Sequence, residues 1–375
     1  MAPNVDVFKA AFLTLSACGI NRHAGSKSWT STAVKVLMLS LSIFNKIVML
    51  MGILQPNVNL GIRLENVAIL LAGVPTDYAI LIFMFQEESI LQFIGRINNL
   101  VAEVEEEFGI GVTQQWSKHS SLILIAYSAV IGGGAIPVYG MALYNYHFLG
   151  DQGAAPYELY LPFDRNISVY ANCAFQASAF VAPVLAVLMN RTVFGTIAII
   201  TSGIIKKTRC QFEKVSSSNH EKMLKQAIRW HSQITLIVMK SNSLLGTVFV
   251  TEYLAATGYL CAEAYLLATC DPNDNALYTK YLIILFAFIS LPLFSCVCGH
   301  VISSENDKLY DAIYQNTWYE IPPKSMKNLL VPTIVASQGL EWHYKKLVVF
   351  NMATYLQIIR QSYSFFTLMI VVGEK

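Results

Sequence analysis

Two stretches of this chain, Ser120–Gly150 and Tyr281–Ile302, contain no charged residue. A run of that length cannot coat the surface of a water-soluble protein. In a bilayer core of about 30 Å it is long enough to cross as a helix, which needs roughly 20 residues. The whole sequence agrees: of 375 residues 54% are hydrophobic and 13% charged, against about 25% charged in an average soluble domain. The chain therefore reads as an all-α, polytopic membrane protein. A formal net charge of +2 argues against nucleic acid or any strongly charged partner. Disorder and a small disulfide framework are excluded by the same composition.

Seven spans are expected: Thr32–Leu54, Asn66–Phe85, Ser121–Asn145, Val169–Met189, Leu244–Ala268, Tyr281–Val301 and Leu347–Val372. The second is interrupted by Pro75 and Asp77, so six is the alternative. Of the 26 Lys and Arg residues, 19 fall on the side of the N-terminus, in 1–31, 86–120, 190–243 and 302–346. Arg63, Arg165, Lys280 and Lys375 fall on the other side, and Lys35, Lys46 and Arg360 within spans. The positive-inside rule then predicts a cytoplasmic N-terminus and an extracellular C-terminus, opposite to a G-protein-coupled receptor.

The cytoplasmic segments carry helical periodicity. Ile90, Leu91, Ile94, Ile97, Val101 and Val104 share one face, as do Met223, Leu224, Ile228, Trp230 and Ile234. These helices should extend the spans and pack together below the membrane. The chain is read as one unit over 1–375: an N-terminal arm (1–31) that is amphipathic and membrane-adjacent, spans one to six (32–301), a cytoplasmic anchor (302–346) and span seven (347–372). No internal repeat is visible, which weakens a transporter built from inverted halves.

Little in the sequence suggests catalysis, a metal or a cofactor. The cysteines lack paired zinc spacing, and only Cys296 and Cys298 lie close together. The seven histidines show no metalloprotease spacing, and there is no nucleophile elbow or P-loop. Asp77 and Glu252 lie within spans, where a charge is costly unless it faces protein or water. Each either pairs inside the bundle or marks a polar point in a ligand cavity. Asn166 heads an acceptor sequon placed in the external loop, whereas the matching pattern at Asn190 falls at the cytoplasmic end of span four.

On span seven, Asn351, Thr354, Gln357, Gln361 and Ser364 share an arc of about 140° at 100° per residue. Such a stripe serves either helix–helix hydrogen bonding or a pore. Beyond Ser364 the helix turns aromatic and aliphatic, from Phe365 to Val372, as a gate that closes by dewetting would. One helix cannot enclose a pore, so that reading demands an oligomer.

In the C-terminal third, Ala312-Ile313-Tyr314, Trp318-Tyr319, Lys327-Asn328-Leu329, Asn351 and the run Ile359–Leu368 follow one another in order and spacing that resembles the insect odorant receptors. Upstream, Leu161-Pro162-Phe163-Asp164 resembles the family's Pro-Phe-Asp element, and His231 and Cys261 fall where the family often has His and Cys. The resemblance implies an odorant-gated, non-selective cation channel in the cell membrane of a sensory dendrite, needing no G protein. It implies a tuning subunit that joins a coreceptor in a heterotetramer, the last helices ringing the pore. In the family's register Gln361, Tyr363, Phe366, Met369 and Ile370 line the pore or its gate, although the polar stripe points towards Phe365 and Leu368. Tyr314, Trp318 and Tyr319 become the subunit anchor. Gustatory receptors are the nearest rival: Thr354-Tyr355 with Gln361 echoes their ending, but Gln357, Arg360 and Ser362 break the match. A solute transporter is the rival from another class.

A volatile odorant is expected in the extracellular half of the bundle, against apolar and aromatic walls. Val74, Tyr78, Ile136, Tyr139, Gly140, Tyr144, Phe175, Phe180, Tyr253, Thr257 and Phe286 are the candidates. For any one of them, ordinary packing is the competing role.

Overall fold

The computed structural model describes residues 5–21, 29–56, 58–150, 155–157, 168–214, 220–271, 273–315, 319 and 322–373. Its helices are α1 (Lys9–Ala17), α2 (Trp29–Leu54), α3 (Leu60–Phe85), α4 (Glu87–Phe108), α5 (Ile110–Phe148), α6 (Val169–Glu213), α7 (His220–Thr269), α8 (Asn275–Gln315), α9 (Pro323–Ser337) and α10 (Met352–Gly373). Among the described residues six helices, α2, α3 and α5–α8, are long and apolar enough to cross a membrane. Helix α10, 22 residues long, is less apolar because Gln357, Arg360, Gln361, Ser362 and Ser364 crowd its first two thirds. Helix α3 runs unbroken through Pro75.

Helix starts follow local chemistry. The side chain of Asn59 accepts from Gly61 N–H at 3.1 Å, and Ser168 accepts from Ala171 N–H at 3.3 Å, each satisfying an orphan donor at a helix N-terminus. Between α4 and α5 the chain turns at Gly109 with φ +85°, a left-handed conformation that suits glycine.

The inner half, in the orientation given by the basic residues, is packed with large side chains. Phe194 sits 4.8 Å from Phe249 and 6.4 Å from Phe83, and Phe249 lies 5.2 Å from Trp342 and 4.8 Å from Phe350, all centroid to centroid. Helix α4 buries Ile90, Leu91, Ile94, Ile97, Val101 and Val104 against this core, the face its periodicity marked. The extensions of α6, α7 and α8 continue below without a break. Within that layer His231 is buried with Nε2 unpartnered among the described residues, and burial pushes its pKa down to about 4.

Helix α1 and its flanks bury Val7, Phe8, Ala11, Leu15, Cys18 and Ile20, and the Thr14 and Thr192 hydroxyls meet at 2.7 Å. Lys9, Leu13 and Ser16 stay exposed on the opposite face. Span seven begins later than Leu347, because Val348–Val349 form strand β2, paired antiparallel to β1 (His343–Tyr344). Asn242 on α7 fixes this hairpin, donating to the Glu341 carbonyl at 2.9 Å and accepting from His343 N–H at 3.0 Å. Asn351 then caps α10, accepting from Thr354 N–H at 3.0 Å.

The outer half has a smaller core of Ala68, Ala255, Ala256, Tyr259, Leu260, Ala262 and Ile358. Alanines fill less space than the phenylalanines below, and the bundle is correspondingly looser there.

Candidate ligand cavity

In that looser region α2, α3, α5, α6 and α8 line a cavity of about 230 Å³. Its walls are mainly aliphatic and aromatic: Val130 and Ile131 from α5, Phe180 and Val184 from α6, Ile284 and Phe288 from α8. Pro183 on α6 also lines it.

The short segment 155–157 closes the outer side. Gln176, on α6, accepts from Tyr157 N–H at 3.1 Å and donates to its carbonyl at 2.8 Å. That pairing holds the Tyr157 ring 5.2 Å from Phe180, with the Lys280 ammonium 5.3 Å from the ring centre. Ala155 and Pro156 face a second space of about 630 Å³, polar in character, lined by Asn59, Glu65, Asn145, Asp271, Asp274 and Lys280 among others. Lys280 pairs there with Glu65 at 2.6 Å. A polar outer vestibule and an apolar inner cavity thus meet at Tyr157.

Asp77 and Glu252 are both paired. Asp77 lies 3.0 Å from Lys46 and accepts from Ser42, and Lys46 lines the cavity. Glu252 pairs with Arg191, whose Nη1 donates to Glu252 Oε2 at 3.2 Å and to Ser295 Oγ at 2.7 Å. Ser295 in turn donates to Glu252 at 2.7 Å. The guanidinium stands 6.0 Å from the Tyr127 ring centre and 5.6 Å from that of Phe294, and Tyr127 forms part of the cavity wall. Arg191 therefore lies inside the bundle, not beyond the inner end of span four. Removing it from the basic count leaves the sign of the bias intact.

The ligand candidates from the sequence divide by position. Tyr139 and Phe180 line the cavity. The Phe175 ring packs edge-on against Phe44 at 5.7 Å, and Tyr78 packs against the inner core. Ile136 and Phe286, 74% and 71% exposed, face outwards, as do Val74 and Tyr144. No atom lies within 4 Å of where a Cβ on Gly140 would stand. Tyr253 and Thr257 are half-buried on α7, and the Tyr253 hydroxyl donates to Gln361 on α10 at 3.4 Å. Sequence reasoning missed Lys46, Gly73, Tyr157 and Arg191. An in-span lysine beside an in-span aspartate was the available signal for the first.

Helix α10 rests on α7 and α8 through Ile358 and Ser362, both buried, while Met369 touches the Cys261 sulfur at 3.3 Å. Phe366 and Ile370 are half-buried, and Tyr363 is exposed with its ring 6.1 Å from Phe366. Gln357 and Ser364 are exposed too. Tyr314 and Tyr319 stand at the surface. Trp318, Asn166 and Leu161–Asp164 lie outside the described residues. No group of three His, Cys, Asp or Glu among those described could hold a metal ion.

The family model described as 7tm odorant receptor matches residues 64–363. This chain belongs to that family. It is a multi-pass membrane protein and a receptor, not an enzyme. Among curated relatives, putative odorant receptor 69a, isoform A, of Drosophila melanogaster is 25% identical over 146 residues, 39% of this chain and 36% of that protein. Odorant receptor 10 of Aedes albopictus is 23% identical over 236 residues, 59% of this chain and 61% of that one. The chain thus matches less than two thirds of the length of either. The solved insect olfactory receptor OR5 of Machilis hrabei superposes with a TM-score of 0.83 at 13% identity, covering 97% of both chains. Its complex with eugenol gives 0.83 at 14% identity, over 98% of this chain and 97% of that one. At these identities the likeness is one of fold: the receptor has the seven-helix architecture of that protein.

Proposed function

We infer that this odorant receptor binds a small volatile organic molecule in the 230 Å³ cavity and serves as the ligand-specific subunit of a cation channel whose pore is lined by α10. The apolar cavity among the outer halves of the helices carries the reading. A volatile of about ten heavy atoms gains at most about 1.5 kcal/mol per atom and usually far less. Micromolar affinity, about 8 kcal/mol, therefore needs near-complete enclosure. Drug-sized sites run to about 300–1,000 Å³, so a cavity of this size suits a smaller guest.

The pore assignment rests on α10, which leaves Gln357, Tyr363, Ser364 and Leu368 uncovered in the single chain. Four such faces around an axis would make a wet inner stretch and an apolar outer ring, which the family's register assigns to Phe366, Met369 and Ile370, beside the exposed Phe365 and Leu368. Tyr314, Trp318 and Tyr319 form the subunit anchor with the coreceptor. Ligand biases a closed–open equilibrium through contacts that differ between the two states.

The test is current recording from cells expressing the chain with and without a coreceptor, across a panel of volatiles. Tyr139→Ala and Phe180→Ala should reorder ligand potency at unchanged ion permeability. Phe366→Ser and Ile370→Ser should alter leak or permeability with the ligand order kept. Cavity variants that change permeability while gate variants change ligand order would refute the separation of sites.

A further inference from the structure

The cavity is apolar except at one corner, and the chemistry of that corner specifies a guest. Among the described residues Lys46 is the one charged side chain lining it. Its ammonium has three donors, of which Asp77 engages it at 3.0 Å. Glycine 73 fixes the place: a Cβ there would stand 2.1 Å from Lys46 Nζ and 2.9 Å from Cε. The missing side chain on α3 is what admits the lysine from α2. Asp77, held by Ser42, pins it from behind.

Three hydroxyls and one amide hydrogen on the wall are already committed. Thr76 donates to the Gly73 carbonyl at 2.6 Å and Ser290 to the Ala287 carbonyl at 2.6 Å. Tyr127 donates to the Ser290 carbonyl at 3.1 Å, and Asn45 Nδ2 to the Ala179 carbonyl at 3.2 Å. Tyr139 differs: its hydroxyl is buried and has no partner among the described residues. The cavity therefore offers uncommitted donors that include Lys46 and Tyr139, and no lining carboxylate.

We propose that the cavity selects volatiles bearing a hydrogen-bond-accepting oxygen, carbonyl compounds above all, with Lys46 and Tyr139 as the specificity-determining donors. This rests on the reading of the cavity as the ligand site. A hydrocarbon guest leaves a buried donor unpaired, which is where most of the discrimination in such sites arises. An amine, protonated in water, brings a second cation up to the Lys46 ammonium with no carboxylate on the wall to meet it. A neutral carbonyl satisfies the corner without asking Lys46 to leave Asp77.

Matched pairs that differ only in C=O against C=CH₂ test this: acetophenone with α-methylstyrene, benzaldehyde with styrene, hexanal with heptene. Concentration–response curves are recorded from the full chain with a coreceptor. The carbonyl member should be more potent by about tenfold or more, the gain expected of a hydrogen bond to a charged group. In Lys46→Met that ratio should collapse towards one, chiefly because the alkene member gains potency once no ammonium is left unpaired against it. If Lys46→Met fails to reach the surface because it orphans Asp77, Lys46→Met/Asp77→Asn replaces it and should give the same collapse. Equal potency within pairs, a ratio that survives in the variant, or carbonyls inactive where other volatiles work each overturns the donor assignment. Val184→Trp separates the two levels of inference. It should silence both members of every pair by filling the cavity; responses left intact would refute the cavity itself, whereas silence with a ratio unmoved by the Lys46 variants refutes only the donors.

Discussion

The Arg191–Glu252 pair makes the most demanding prediction, because single and double replacements should move stability in different ways. Both side chains are 4% exposed, and Ser295 ties the two together. Replacing one partner leaves the other charge buried and unmatched, which costs about 3–5 kcal/mol. Replacing both with apolar residues of similar volume removes the desolvation penalty along with the attraction, and is neutral or stabilising by about 1–4 kcal/mol. Glu252→Leu and Arg191→Met should each lower the thermal midpoint of the detergent-purified receptor, on the order of 6–10 °C at about 2 °C per kcal/mol. Arg191→Met/Glu252→Leu should recover most of that loss, giving a coupling energy of several kcal/mol in the double-mutant cycle. Fluorescence-detected size exclusion after a heat step reads all four corners on small samples. Additive single effects would show that the two side chains do not act as a pair.

Gly299→Ala should cost about 3 kcal/mol or more and largely abolish surface expression, since its Cβ would fall 1.9 Å from the Phe350 carbonyl oxygen, backbone against backbone with no flexible side chain to yield; wild-type expression would refute the close approach. His231, with its folded pKa at about 4 against 6.5 when exposed, is neutral in both states above that upper value. As pH falls below it the unfolded chain takes the proton first, so stability should drop by about 1.4 kcal/mol per pH unit towards pH 4; the thermal midpoint of His231→Leu should be less sensitive between pH 7 and 5, and an equal slope would count against the burial. Glycosidase treatment should shift wild type and Asn190→Gln but not Asn166→Gln, because Asn190 is buried in α6; the opposite pattern would invert the orientation. Trp318→Ala should reduce co-purification of the coreceptor before it changes ligand ranking, as expected of an aromatic at an interface; normal assembly with a changed ranking would refute the anchor.

The helical layout was legible because its signals are local. Uncharged runs mark spans, and the 3.6-residue recurrence from Ile90 to Val104 marks α4. Even the pairing of Asp77 could be weighed, since an unpaired charge in a bilayer is so costly. What escaped was set by non-local geometry. Leu347–Phe350 is as apolar as any helix start, yet Val348–Val349 form a strand because Asn242, about a hundred positions earlier, holds the hairpin. Ile136 and Phe286 are good cavity residues by type, but helix rotation turns them outwards, and rotation follows from packing partners that no window of sequence contains. Glycine 73 was invisible for the same reason: its value depends on a lysine from another helix.

Helix α8 reaches from the cavity, through Ile284 and Phe288, to Gly299, where it meets the chain just ahead of α10. Between those two places stands Pro292. Proline has no N–H to give the carbonyl four residues back, here that of Phe288, itself a cavity residue. The helix is thus a stiff strut with its one soft joint placed between the wall a guest would press and the contact that carries α10. On the proposed reading, a guest pressing on Phe288 would load the strut at Pro292, and Gly299, set backbone to backbone against Phe350, would pass a displacement on to the start of α10 with no side chain between them.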